Sequence, residues 1–169
     1  MSFSVYEMRR SCNEIPPVGI CCIPFGKPYL EQYRTGYNAA FRPMREALDI
    51  KPYDWYHDSS KIWDKSADIF IFVKGKDLIG SVACYGNEID DLFVCEGGRR
   101  QGYGKQLLIW AMDHIASLGY DELVLHVAEW NQKAVQMYMN YGFRIVKTDV
   151  ISVYMIIKPA LCTYLNSGE

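Results

Sequence analysis

The chain has 169 residues, half of them hydrophobic and 22% charged, the composition of a globular protein with room for a substantial core. A formal net charge of −2 lacks the clustered positive charge of a nucleic-acid binder, so no nucleic-acid partner is expected. No apolar run approaches the roughly 20 residues of a membrane-spanning helix, and the opening MSFSVYEMRR has no secretory h-region, so no membrane partner and a cytoplasmic location are expected. Cys12, Cys21, Cys22, Cys84, Cys95 and Cys162 form no CxxC pair. Their scatter fits neither a zinc site nor a disulfide scaffold, which predicts free thiols and no metal.

Residues 4–9 alternate in part and predict a first strand. Residues 13–28 carry Pro16, Pro17, Gly19, Pro24, Gly26 and Pro28, a density of breakers that predicts a loop with 19–23 extended inside it. From 29 to 48 the period changes. Leu30, Tyr33, Tyr37, Ala40, Phe41, Met44 and Leu48 recur three or four apart, one face of a helix. Pro43 disfavours helical geometry at Arg42, so two helices with a break between them are expected. Residues 51–68 scatter Tyr53, Trp55, Tyr56, His57 and Trp63 without a period. That suits either a lid over a site or a surface loop pinned by its own aromatics.

Ile69–Lys74 is a continuous apolar run, a buried strand. A turn at Gly75 leads to a returning strand at 78–85, and Gly86-Asn87 turns again. Glu88–Val94 alternates, with Glu88, Asp90, Leu92 and Val94 on one face and Ile89, Asp91 and Phe93 on the other. These are three antiparallel strands in a row. A helix over 104–118 carries Leu107, Leu108, Ala111, Met112, Ile115 and Leu118 as its apolar stripe and Gln106, Asp113, His114 and Ser117 as its wet face, with Gly119 at C′. Glu122–Ala128 reads as a strand, and Asn131 as the N-cap of a helix to about 140. Two more strands are expected at 143–147 and 150–157, then a frayed tail from Pro159. The order is mixed α/β, and the strand–helix–strand crossover implies a parallel pair of Glu88–Val94 with Glu122–Ala128. With no repeats and no linker, 1–169 reads as one domain.

The run LFVCEGGRRQGYGKQLL stands out. A strand end meets a charged glycine turn, and an apolar helix follows directly. Such a turn brings backbone N–H groups to one point at a helix N-terminus, where the dipole also favours an anion. Gly102 and Gly104 remove side chains that would block a phosphate, and Arg99, Arg100 and Lys105 add positive charge.

The pattern Arg99-x-x-Gly102-x-Gly104, followed by Asn131, Ala134, Tyr138 and Gly142-Phe143, resembles the GCN5-related N-acetyltransferase (GNAT) superfamily. The resemblance covers about 69–148 closely, and the first third matches in element order alone. Gly97-Gly98 departs from the usual Pro and bulky residue there, which suggests a more mobile loop. The resemblance implies a central mixed, mostly antiparallel sheet with helices on both faces and a splayed parallel strand pair. It implies an acetyl-CoA-binding core over 69–148 and acceptor-side helices over about 28–48.

It also implies the reaction: acetyl transfer from acetyl-CoA to a primary amine, by direct attack in a ternary complex. Leu92, Phe93 and Val94 would meet the pantetheine arm through their backbone. Arg99, Arg100, Gln101, Gly102, Tyr103, Gly104 and Lys105 would cradle the pyrophosphate. Asn131 would contact the carrier, and Tyr138 would touch it and act as general acid. Glu88 and His126 stand at positions where relatives carry a base; Asp90, two residues on, and Glu129 are further acidic candidates. No cysteine nucleophile is expected, although Cys95 lies close by.

Two other readings compete. A CoA- or acyl-CoA-binding regulatory module would keep the fold without turnover, which the retained Tyr138 and acidic groups argue against. A dinucleotide-binding domain would need an early glycine motif and alternating parallel units, whereas three antiparallel strands precede this turn. The acceptor stays open between a small-molecule amine and a peptide or protein amine, and so does a homodimer.

Overall fold

The structure, a computed structural model, describes residues 1–153. It begins with β1 (Ser2–Ser11) and the two-residue β2 (Ile23–Pro24), then α1 (Leu30–Ala47) and the single-turn α2 (Ser60–Trp63). Next come β3 (Ile69–Lys74), β4 (Asp77–Tyr85), β5 (Glu88–Val94), α3 (Tyr103–Ser117), β6 (Glu122–Ala128), α4 (Gln132–Asn140) and β7 (Arg144–Ser152). The strands form one mixed sheet in the order β2-β3-β4-β5-β6-β1-β7. The mixed α/β class and the three antiparallel strands β3, β4 and β5 are as expected, and β5 pairs with β6 in parallel.

Each sheet face carries its own core. Leu107, Leu108, Ala111, Met112 and Ile115 of α3 pack with Leu92, Val94, Leu125 and Val127 of the strands and with Ala134 and Tyr138 of α4. On the opposite face, Tyr33, Tyr37, Phe41 and Met44 of α1 pack with Val5, Ile71, Phe93 and Ala128. Burying one such side chain is worth roughly 1.5–3 kcal/mol, so these stripes rather than propensity hold the helices in place.

That scale explains the first correction. α1 runs unbroken through Pro43. Pro43 is exposed while Phe41 and Met44 on the same helix and Leu48 at its C-cap are buried, so the packed stripe outweighs the lost helical bond of about 3 kcal/mol. At the end of α3, Leu118 leaves the stripe and is 60% exposed, because Gly119 turns the chain away at φ 93°. The two strands expected after Gly142 are one, since β7 pairs along β1 from Arg144 to Ser152. The rest of the segment 150–157, the tail from Pro159 and Cys162 lie outside the described residues.

The aromatic segment 51–68 is pinned to α1. Tyr56 is buried, and its backbone N–H and C=O meet the Asn38 amide at 3.0 and 2.9 Å. Trp55 lies under the Arg45 guanidinium at 4.9 Å, and Trp63 under Lys27 at 5.5 Å. Of the Gly97-Gly98 pair, Gly98 is packed and Gly97 is exposed. The chain makes a 3-10 turn there, and a Cβ on the buried Gly98 would come within 2.8 Å of Ile79.

A bulge in β5 alters the expected faces. Ser81 lies opposite Phe93 but Ala83 lies opposite Asp90, so β5 has one residue more than β4 between these pairs. Asp91 takes it up in the left-handed region at φ 48°, which Asp tolerates better than most side chains. The extra residue flips the alternation. Ile89, Leu92 and Val94 all join the α3-side core, and Phe93 turns to α1.

The bulge also buries two adjacent acids. The Tyr37 and Tyr85 hydroxyls donate to Asp91 Oδ1 and Oδ2, each at 3.2 Å. The Asp91 N–H donates to Asp90 Oδ1 at 2.7 Å, and Asp90 Oδ2 has no partner among the described residues. Burial raises the pKa of both. The Asp91 charge raises Asp90 further, whereas Lys65 and the two tyrosines favour ionised Asp91. The protonated form is thus favoured more strongly at Asp90 than at Asp91.

Two predictions follow from this packing. A Cβ at Gly80 would sit 2.8 Å from the Phe93 carbonyl oxygen and 2.7 Å from Leu107. Gly80→Ala should lose about 1–3 kcal/mol in urea unfolding, while Gly97→Ala, with nothing within 4 Å, should stay within about 0.5 kcal/mol. An acid kept neutral by burial contributes stability that is whole below its unfolded pKa of about 3.9 and is lost as the pH rises through the raised native value. Asp90→Asn should therefore match the native melting temperature near about pH 4 and exceed it by a few degrees near about pH 8.

Candidate active site

β5 and β6 share a ladder at two residue pairs only, Glu88 with Val124 and Ile89 with Leu125. Beyond them the strands part, and the β5 edge from Asp90 to Val94 has no β6 partner. The Cys95 N–H donates to the Ile79 carbonyl at 2.8 Å, with Val94 opposite Gly80. Alternation along an antiparallel ladder then turns the N–H and C=O of Val94 away from β4, into the gap.

The turn that follows closes one end of that gap. Arg100 and Gly102 both take positive φ, 61° and 81°. Gly102 is the N-cap residue of α3, and no side chain caps the helix there. The first-turn N–H groups of Tyr103, Gly104 and Lys105 are thereby presented to a ligand. A Cβ on Gly102 would meet nothing within 4 Å, so the space in front of the turn is open. Gln101 and Tyr103 turn elsewhere: the Gln101 amide donates to the Gly97 carbonyl at 3.2 Å, and Tyr103 meets Lys74 and the Phe72 ring. Arg99 reaches back to the Val94 carbonyl at 3.4 Å.

A cleft of about 340 Å³ opens here, lined by Ala40 and Pro43 of α1, Val94, Arg99, Arg100, Trp130 and Lys133, within the range of about 300–1,000 Å³ typical of ligand sites. Asn131 borders it as the N-cap of α4, its Oδ1 accepting the Ala134 N–H at 3.2 Å. Tyr138, two turns along α4, is buried and packs on Phe143 with ring centroids 6.0 Å apart. These surroundings fit the polyanionic carrier that the motif implies: open N–H groups, a nearby excess of Arg and Lys, and an unpaired strand edge.

The acid–base candidates lie on the α1 face. His126 Nδ1 is 2.8 Å from Glu88 Oε1, and its Nε2 is 3.7 Å from Glu7 Oε2. The three side chains are 12%, 25% and 17% exposed, half-shielded but reachable. The two base candidates named from the sequence thus form one unit. Glu7 was not foreseen. It reaches His126 because β1 inserts beside β6 with Glu7 and His126 as register partners, a long-range pairing that leaves no mark on the local pattern. Arg9 beside Glu7, bonded at 2.6 Å, holds its carboxyl below the usual range.

The other candidates stand apart. Asp90 is buried at 1% exposure and cannot meet a substrate alongside Glu88. Glu129 is exposed beyond β6, next to Tyr6. Burial raises the Cys95 thiol, which disfavours the thiolate a nucleophile requires. Among the described residues no group of three His, Cys, Asp or Glu side chains is arranged to hold a metal ion, and no helix is long and apolar enough to cross a membrane.

Solved structures share this architecture. An acetyltransferase of the GNAT family from Colwellia psychrerythraea superposes with a TM-score of 0.63 at 15% identity, over 89% of this chain and 55% of that one. A GCN5-related N-acetyltransferase from Sphaerobacter thermophilus gives 0.55 at 19% identity, over 88% and 50%. A protein from Pyrococcus horikoshii OT3 gives 0.62 at 20% identity, over 78% and 97%. The chain spans about half the length of the first two, and at such identities the likeness is one of fold. Residues 30–143 match the model of the acetyltransferase (GNAT) family. Since that match takes in well over half of the sequence, the chain belongs to the GNAT acetyltransferase family.

Proposed function

We propose that the protein transfers an acetyl group from acetyl-CoA to a primary amine by direct attack in a ternary complex. One observation carries this reading: an uncapped helix N-terminus, an unpaired strand edge and an imidazole between two carboxylates stand around one pair of splayed strands. Acetyl-CoA, when bound, supplies an acetyl group activated as a thioester. The N–H groups of Tyr103, Gly104 and Lys105 hold its pyrophosphate, and Arg99, Arg100 and Lys133 supply positive charge beside it. Leu92, Phe93 and Val94 line the pantetheine path, with Asn131 across the gap. The Val94 N–H polarises the thioester carbonyl, the role of an oxyanion donor.

An alkylamine of pKa about 10.4 is mostly protonated at neutral pH and must lose a proton before it attacks. Glu88 faces Nδ1 of His126 and fixes the tautomer with the proton on that nitrogen. Nε2 is then left as the acceptor, and the imidazolium it forms lies between Glu88 and Glu7. Tyr138 returns a proton to the departing thiolate, a transfer made modestly uphill by reference pKa values of about 10 for a phenol and about 8.5 for a thiol. The acceptor is a small-molecule or peptide amine, drawn to the site by Glu7 and Glu88.

Calorimetric titration with acetyl-CoA tests the cradle. Gly102→Asp keeps a residue that tolerates positive φ and puts a carboxylate where the phosphates would sit, so binding should weaken at least about tenfold, or about 1.4 kcal/mol. A thiol-release assay over a panel of amines follows. Well-folded wild type that binds no acetyl-CoA would overturn the reading, and binding without thiol release from any amine would favour the regulatory-module alternative. His126→Gln should lower kcat/KM for the amine by about 10²–10⁴ at neutral pH and leave acetyl-CoA affinity unchanged. Its deficit should narrow as the pH approaches the amine's own pKa; a deficit constant with pH would remove His126 as the base.

A further inference from the structure

We infer that Asp91, anchored by Tyr37 and Tyr85, is the positioning residue that aims the Val94 N–H into the gap; the inference rests on the acetyl-transfer reading above. The argument starts from register. Without the extra residue at Asp91, strict alternation puts Leu92 and Val94 on the α1 face, and every polar group after the bulge changes direction. With it, Val94 lies opposite Gly80 and turns its N–H away from β4. The direction of that N–H is therefore set by whether one residue stays in the left-handed region.

Asp91 is held there by three elements. Tyr37 comes from α1 and Tyr85 from β4, and each hydroxyl takes one carboxylate oxygen, at 3.2 Å. The Asp91 N–H closes on Asp90 Oδ1 at 2.7 Å, within its own strand. The site is fully buried, with Asp91 at 0% exposure, so water cannot replace the two hydroxyls. The Tyr37 ring also meets Phe93 edge-on, at 5.8 Å between centroids. One and nearly two turns further along α1, Ala40 and Pro43 wall the cleft. The helix that bounds the acceptor side thus also pins the strand that serves the thioester. Asp91 touches no substrate and acts through the backbone of β5.

Asp91→Gly separates the anchor from the backbone preference, because glycine adopts positive φ freely but offers the tyrosines nothing. We expect a folded protein whose kcat falls about 10- to 100-fold, with KM for the amine and Kd for acetyl-CoA within about threefold of wild type, assayed well below the melting temperature. A Tyr37→Phe/Tyr85→Phe double variant should show the same split. Asp91→Asn, which keeps an acceptor oxygen and tolerance of positive φ, should recover most of the rate. Amide hydrogen exchange gives a readout apart from turnover. The Cys95 N–H, bonded to Ile79, should exchange at least about tenfold faster in Asp91→Gly than in wild type, while α3 amides keep their rates. Wild-type kcat in Asp91→Gly, or unchanged Cys95 exchange, would overturn the inference. Failure of the transfer reading shows separately, as wild type that binds no acetyl-CoA, and the exchange arm then decides the anchor alone.

Discussion

β5 and β6 pair for two residues and then separate, and the functional architecture depends on that separation. A buried backbone group left without a partner is costly, so strands that part must open onto solvent or a ligand. Here the opening lies at the carboxyl ends of two parallel strands, the position where α/β sheets commonly bind ligands. α3 starts where β5 ends and α4 starts where β6 ends, so both helices turn their positive ends toward the gap. Asn131 caps α4 but no side chain caps α3. The helix that follows the glycine turn is the one left open to an anion.

Much of this was legible because it is local. The glycine turn, the apolar stripe of α3, the Asn131 cap and the turn at Gly142 are each written within a few residues. The parallel crossover follows from handedness and connection length. What sequence could not carry was competition at a distance. Pro43 signals a break, yet the buried face of α1 overrides it. The alternation of β5 reads cleanly but is false beyond Asp90, since the bulge at Asp91 is met by Tyr85 of the neighbouring strand and by Tyr37, 54 residues away in the chain. Glu7 looks like any polar residue on a first strand until β1 is seen to lie between β6 and β7.

The acids of β5 show how position divides similar chemistry. Glu88, at the start of the strand, is a quarter exposed and lies 2.8 Å from His126 Nδ1. Asp90 and Asp91, two and three residues on, are fully buried. Burial raises both carboxyls; the Asp91 charge pushes Asp90 further toward neutrality, while Lys65 and the two hydroxyl donors offset part of the rise at Asp91. Environment, not residue type, assigns the proton in each case. The seven residues of β5 therefore contain a half-shielded acidic end, a buried acidic middle and, at Val94, a backbone end aimed at the gap.

This division also accounts for a fold shared with proteins of low identity. On the proposed reading the carrier is met chiefly by backbone: helix N–H groups, an unpaired strand edge and a turn that demands little beyond glycine at one positive-φ position. Such recognition constrains few side chains and survives extensive replacement. The acceptor side, on the same reading, is built the opposite way, from side chains on strands that are distant in sequence, Glu7 on β1, Glu88 on β5 and His126 on β6. On the proposed reading, selectivity for the amine resides in those residues. They are also the ones whose contacts come from tertiary register, so the features that individualise this site are those that local sequence reading reaches last.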